Sequence, residues 1–150
     1  MRIIRTRILN NPRRRASAAV EFALIGPLLV TMVLGAVDLG RFAYNYIAVT
    51  NAARAGAAYA IMNPYLSNQQ SAWNTAVQQA ARDEMAGQTG FVSTNLTVPA
   101  PIVTVDAKGR RIIQVTANYP FSTLINWNWT GLSIPSSMTL KRMVEMRAIR

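Results

Sequence analysis

Apolar positions dominate the first third of the chain. From Ala18 to Val37 there is a single charged residue, Glu21, and from Phe22 to Val37 there is none. A membrane-spanning helix needs about 20 predominantly apolar residues, so the run FALIGPLLVTMVLGAV predicts a transmembrane helix over residues 17–38. Phe42, Tyr46, Val49, Ala53, Gly56 and Ala60 then continue at helical spacing. No proline lies between Pro27 and Pro64, which predicts one rod from Ser17 to Ile61, about 68 Å long at 1.5 Å per residue. Asn63-Pro64 ends it. The segment Ala52–Ala60 is rich in Ala and Gly, which lets another element approach closely. Packing within the chain is expected there.

Beyond the rod, Trp73, Ala76 or Val77, Ala80 or Ala81, and Met85 form one apolar face, predicting a second helix over 68–86 with Ser67 and Gln70 as a capping box. The period then changes to two. Ile102–Val105 reads as a strand edged by Pro99 and Pro101, and Asp106–Gly109 as a hairpin turn. Ile113, Val115, Ala117 and Tyr119 alternate with Gln114, Thr116 and Asn118, the mark of a half-buried strand. Met138, Leu140, Val144 and Met146 give a third strand, with Arg142 interrupting the inward face. Residues 119–137 between them are expected to form a loop, with Trp127 and Trp129 completing a small core. The predicted class is α+β: a long N-terminal helix packed on a small antiparallel sheet, with a second short helix.

Composition narrows the chemistry. The 150 residues include no Cys and no His, and only 15 % are charged, against about 25 % in a typical soluble domain. Zinc-finger ligand sets, thiol nucleophiles and histidine acid–base chemistry are excluded. Six carboxylates remain: Glu21, Asp38, Asp83, Glu84, Asp106 and Glu145. Asp83-Glu84 lacks an evident third ligand and reads as an exposed helix end. No metal, cofactor or catalytic residue is assigned, and an enzyme is the last of the functional classes considered.

The charge is unevenly placed. Residues 1–16 hold Arg2, Arg5, Arg7, Arg13, Arg14 and Arg15 and no acid, which accounts for +6 of the net +10. A basic tail can bind nucleic acid or anionic lipid. Followed by an apolar run, it instead orients a membrane helix with its N-terminus inside, because only Arg41 and Arg54 follow within the next 20 residues. This divides the chain into a basic cytoplasmic leader (1–16), a transmembrane helix (17–38) and an extracytoplasmic domain (39–150). A signal peptide cut near Ala36 fits poorly, since Leu34 would occupy the small position at −3.

Glu21 stands out because a carboxylate within an apolar segment is costly unless paired or near the interface. The helix dipole favours an acid in a first turn, and a specific positive partner is the functional alternative. Arg13-Arg14-Arg15-Ala16-Ser17-Ala18-Ala19-Val20-Glu21-Phe22-Ala23-Leu24 resembles the class III signal peptide of type IV pilins. The similarity is greatest to TadE-like proteins, minor pilins or pseudopilins of the Tad (tight adherence, Flp) system. Pro27, Asp38-Leu39-Gly40-Arg41 and Ala52-Ala53-Arg54-Ala55-Gly56-Ala57 match that family's positions as well. The resemblance covers about residues 13–60.

The resemblance implies cleavage by a prepilin peptidase between Ala16 and Ser17, where the family usually has Gly at −1. It implies that Glu21, at the fifth mature position with Phe22 beside it, serves recognition and assembly by neutralising a free α-amine at Ser17. Its implied partners are other pilin-like subunits (the major Flp pilin, TadF-like subunits), the inner-membrane assembly platform and membrane lipid, with no role for nucleic acid. Its implied place is the bacterial inner membrane, with adhesion or secretion as the outcome. From the residues themselves, Gly26-Pro27 should kink or loosen the helix. Asp38 and Arg41, three apart, should form a juxtamembrane ion pair, with Tyr44 and Tyr46 nearby as an interfacial belt. The rival reading is an uncleaved single-pass envelope protein with an outer binding domain.

Overall fold

The computed structural model describes residues 12–63, 65, 67–131 and 134–148. Of the leader, Arg2, Arg5 and Arg7 lie outside the described residues. The elements in chain order are helix α1 (Pro12–Met62), helix α2 (Gln70–Ala86) and strands β1 (Ile102–Val105), β2 (Arg111–Ser122) and β3 (Ser137–Arg147). The chain is α+β, and its contacts divide it into two compact units, the second beginning at Asp38.

The first unit is the apolar part of α1. Its large apolar side chains from Val20 to Val33 are 51–74 % exposed. A helix that is apolar all round needs an apolar surrounding, and each large side chain left in water forfeits about 1.5–3 kcal/mol of burial. The helix is long and apolar enough to cross a membrane once. It runs without a break across Gly26 and Pro27. The proline ring removes the N–H that would serve the Ala23 carbonyl. One turn on, the Thr31 hydroxyl donates to the Pro27 carbonyl at 2.8 Å.

The second unit holds the core. Ala48, Val49, Ala52, Ala53, Ala57 and Ala60 of α1 are buried against Trp73, Val77, Ala81 and Met85 of α2 and the inner face of the sheet. The strand order is β1-β2-β3, antiparallel throughout. Ile113, Val115, Ala117, Tyr119 and Phe121 of β2 all point inward, opposite Met146, Val144, Arg142, Leu140 and Met138 of β3. The β1–β2 turn places Gly109 at φ 74°, and Asp106 accepts from the backbone N–H groups of Lys108 and Arg110. The Arg110 backbone N–H, with help from its side chain, holds the Asp106 carboxyl below its ordinary value.

Two sequence expectations are corrected. Residues 119–122 belong to β2, not to the loop. Asn118 exchanges both backbone hydrogen bonds with Thr97, on the side away from β3. Pro120 has the same parity, so its missing N–H also faces away from β3 and takes no bond from the β2–β3 ladder. The capping box is also absent. Ser67–Gln69 form a 3-10 turn, and the N-cap of α2 is Gln69, with no side-chain cap bond. Such a turn can satisfy part of a helix start through its own i→i+3 bonds.

Candidate functional site

The sequence-predicted residues fall into two groups, one in each unit. In the first, Ser17 and Glu21 are four apart on one helical face, and the Ser17 hydroxyl donates to Glu21 Oε1 at 3.2 Å. Both are exposed, as is Phe22. Ala16 enters as helical backbone, so the Ala16–Ser17 peptide bond lies inside α1. A chain beginning at Ser17 would carry its α-ammonium one turn from the Glu21 carboxylate. The two charges would attract, and each would lower the other's cost of leaving water. Gly26 and Pro27 lie on the same helix, further toward its C-terminal end.

The second group centres on Asp38, which is only 6 % exposed. Arg41 Nη1 donates to Asp38 Oδ1 at 3.2 Å, and the Arg41 side chain remains 41 % exposed. Two other donors reach the same carboxylate from far along the chain. The Leu124 backbone N–H donates to Oδ1 at 2.8 Å and the Trp127 indole N–H to Oδ2 at 3.0 Å. Asp38 therefore fixes the β2–β3 loop to α1, and the ion pair is one part of that arrangement. Trp127 is buried. The side chain of Trp129 lies outside the described residues.

Tyr44 and Tyr46 engage the folded unit in addition to being partly exposed. Tyr44 packs against Phe91 with ring centroids 5.5 Å apart. Tyr46 stacks on Phe42 at 6.1 Å and lies under the Arg142 guanidinium, 4.7 Å from its centroid. Arg142 also donates from Nε to the Thr50 hydroxyl at 3.2 Å. The charge that breaks the inward pattern of β3 is thus held over an aromatic ring of α1, and an inward charge on an edge strand also discourages strand-to-strand association.

The Ala-Arg-Ala-Gly stretch has a direct packing reason. Ala52, Ala53 and Ala57 are fully buried while Arg54 is exposed. A Cβ at Gly56 would stand 3.2 Å from Val115 Cγ1, 3.3 Å from Ala81 Cβ and 3.3 Å from the Val77 carbonyl oxygen. The glycine lets α1 approach β2 and α2 together. Sequence reasoning found the small residues but not the two long-range donors to Asp38, since hydrogen-bond partners 86 and 89 positions away leave no local pattern. The available sequence signal at Asp38 was its i,i+3 spacing from Arg41.

Among the described residues no group of three His, Cys, Asp or Glu could hold a metal ion. No curated protein and no solved structure matches the chain. The family comparison does give a match, to a family of pilus-associated proteins that is not one of enzymes. Residues 16–58, the segment that carries Glu21, Pro27, Asp38, Arg41 and Gly56, match the model of the TadE-like protein family and lie within α1.

Proposed function

We propose that the protein is a minor pilin or pseudopilin that takes part in assembling a Tad (Flp) pilus used in adhesion or secretion. It sits in the bacterial inner membrane through residues 17–38, with its N-terminus inside and residues 39–150 outside. A prepilin peptidase cuts between Ala16 and Ser17. Glu21 then pairs with the new α-amine, on its own chain or a neighbour's, and sets the register between subunits. Gly26 and Pro27 weaken the helix ladder so that it can loosen when the subunit leaves the bilayer. Its partners are the peptidase, the major Flp pilin and TadF-like subunits, the assembly platform and lipid.

The observation that carries this reading is the pairing of Ser17 with Glu21 in an exposed apolar helix, within a segment matching the TadE-like family. It is tested by intact mass and N-terminal sequencing of the protein from native membranes, with and without the peptidase. A mature chain starting at Ser17 only when the peptidase is present is the expected result. A chain that keeps its leader in both cases would overturn processing. Ala16 at −1, where the family usually has Gly, favours that second reading, an uncleaved signal-anchored envelope protein.

A further inference from the structure

The β2–β3 loop combines three features that the pilin reading does not use. First, its position is tied to the end of the apolar run. The Leu124 N–H and the Trp127 indole N–H are both on the carboxylate of Asp38, at 2.8 and 3.0 Å. Asp38 follows Val37 directly, and consecutive Cα atoms are only 3.8 Å apart. The loop is therefore bonded to the first residue after the run.

Second, the loop shows two apolar side chains outward although the backbone at Thr123 is fixed. Leu124 is 64 % exposed and Ile134 is 37 % exposed. The Thr123 N–H donates to the Ser136 carbonyl at 3.0 Å, and the Thr123 hydroxyl to the Ile125 carbonyl at 2.8 Å. Leu124 is held out from a pinned base.

Third, the charge pattern suits a headgroup layer. Between Arg111 and Lys141 there is no Asp, Glu, Lys or Arg, in a chain of net charge +10. The nearby cation is Arg41, which lies 5.7 Å over the Phe121 ring and is partly exposed. Exposed Leu124 and Ile134 in an uncharged stretch beside an arginine suit a membrane–water interface, where a charged loop would not settle.

We propose that residues 123–131 of this loop rest in the lipid headgroup layer with Leu124 inserted, giving the protein a second contact with the bilayer besides α1. This rests on the reading that residues 17–38 span the membrane. A polypeptide partner covering Leu124 is the competing occupant. Lipid is favoured because the loop is bonded to Asp38, the residue that follows the apolar run directly in sequence.

The test uses the full chain, which has no native cysteine. Leu29→Cys, Leu124→Cys and Lys108→Cys each receive an environment-sensitive fluorophore and are reconstituted into phosphatidylcholine–phosphatidylglycerol vesicles. The vesicles carry spin-labelled lipid, shallow or deep. Lys108 lies in the turn at the opposite end of β2, roughly 36 Å along the strand. The expected result is quenching at 29 by the deep label, loss of most fluorescence at 124 with the shallow label, and none at 108. Quenching at 29 with 124 behaving like 108 overturns the loop proposal while leaving the membrane helix intact. A blue shift at 124 without lipid quenching assigns the loop to a contact with a second copy of this chain and overturns it too. No quenching at 29 overturns the membrane reading, and the loop proposal with it.

Discussion

The indole N–H of Trp127 donates to the carboxylate of Asp38 at 3.0 Å, across 89 positions of sequence. Asp38 comes directly after the apolar run, and Trp127 sits in the loop between the last two strands. One buried acid thus joins the start of the folded unit to a segment near its end.

Removing that acid should cost far more than removing its charge partner. Asp38→Ala leaves the Trp127 N–H and the Leu124 N–H without their acceptor, at about 2–4 kcal/mol in total. Asp38→Asn keeps one acceptor oxygen and should lose about half as much. Arg41→Gln breaks a pair whose arginine is 41 % exposed, so its cost should stay under about 1 kcal/mol. Denaturant unfolding of the detergent-solubilised protein, followed by tryptophan emission, checks the ranking. Equal losses for Asp38→Ala and Arg41→Gln would show that the ion pair, not the loop anchor, is the working contact.

Two glycines of α1 should respond oppositely to one substitution. Gly40→Ala adds a Cβ with nothing within 4 Å, so it should stabilise by about 0.4–1 kcal/mol through helix propensity. Gly56→Ala brings the same gain but presses on Val115, Ala81 and the Val77 carbonyl at 3.2–3.3 Å. The carbonyl belongs to the backbone of α2 and cannot swing aside, so overpacking of about 1–3 kcal/mol should win. Thermal unfolding of the two variants decides it; a more stable Gly56→Ala would mean that the helices can move apart freely.

Arg142 should behave as a packing residue with a charged end. Arg142→Lys keeps the charge but loses the planar stack on Tyr46 and the Nε bond to Thr50, at about 1 kcal/mol. Arg142→Ala also loses the stem that covers the ring and should cost more. If lysine were as stable as arginine in urea unfolding, the charge alone would be what matters at this position.

How much of this was legible in the sequence follows from the range of each interaction. β1 was readable to the residue, because Pro101 and the Asp106–Gly109 turn bracket four apolar and β-branched positions. The inward face of β2 was readable because its alternation is local. Its end was not: Pro120 reads as a stop, and only the bridge between Asn118 and Thr97 reveals which way its missing N–H faces. Ser67 and Gln70 matched a capping pattern, but a 3-10 turn occupies that place. Glu21 was conspicuous because the apolar residues around it make a charge expensive. Asp38 was conspicuous only as half of an i,i+3 pair, since its strongest partners lie in another element.

Glu21 gives the sharpest functional prediction. The contact seen for its carboxylate is the Ser17 hydroxyl on an exposed helical face. Glu21→Ala should therefore leave the stability of residues 38–150 unchanged. It should also leave the amount of protein in the membrane unchanged, because removing a charge makes the apolar segment cheaper to insert. Assembly should nevertheless fail, because a free α-ammonium at Ser17 would then enter a low-dielectric contact without its counter-charge. Glu21→Gln should fail almost as badly, since an amide accepts a hydrogen bond but does not neutralise the amine. The readouts are surface pili counted by electron microscopy, protein level by immunoblot and cleavage by intact mass, all from the same cells. Normal pili with either variant would remove Glu21 from assembly and leave it as an acid tolerated near a helix start. Lost pili with an uncut leader would move its role to recognition by the peptidase. Lost pili with a correctly cut chain at normal level would assign it to the contact between subunits.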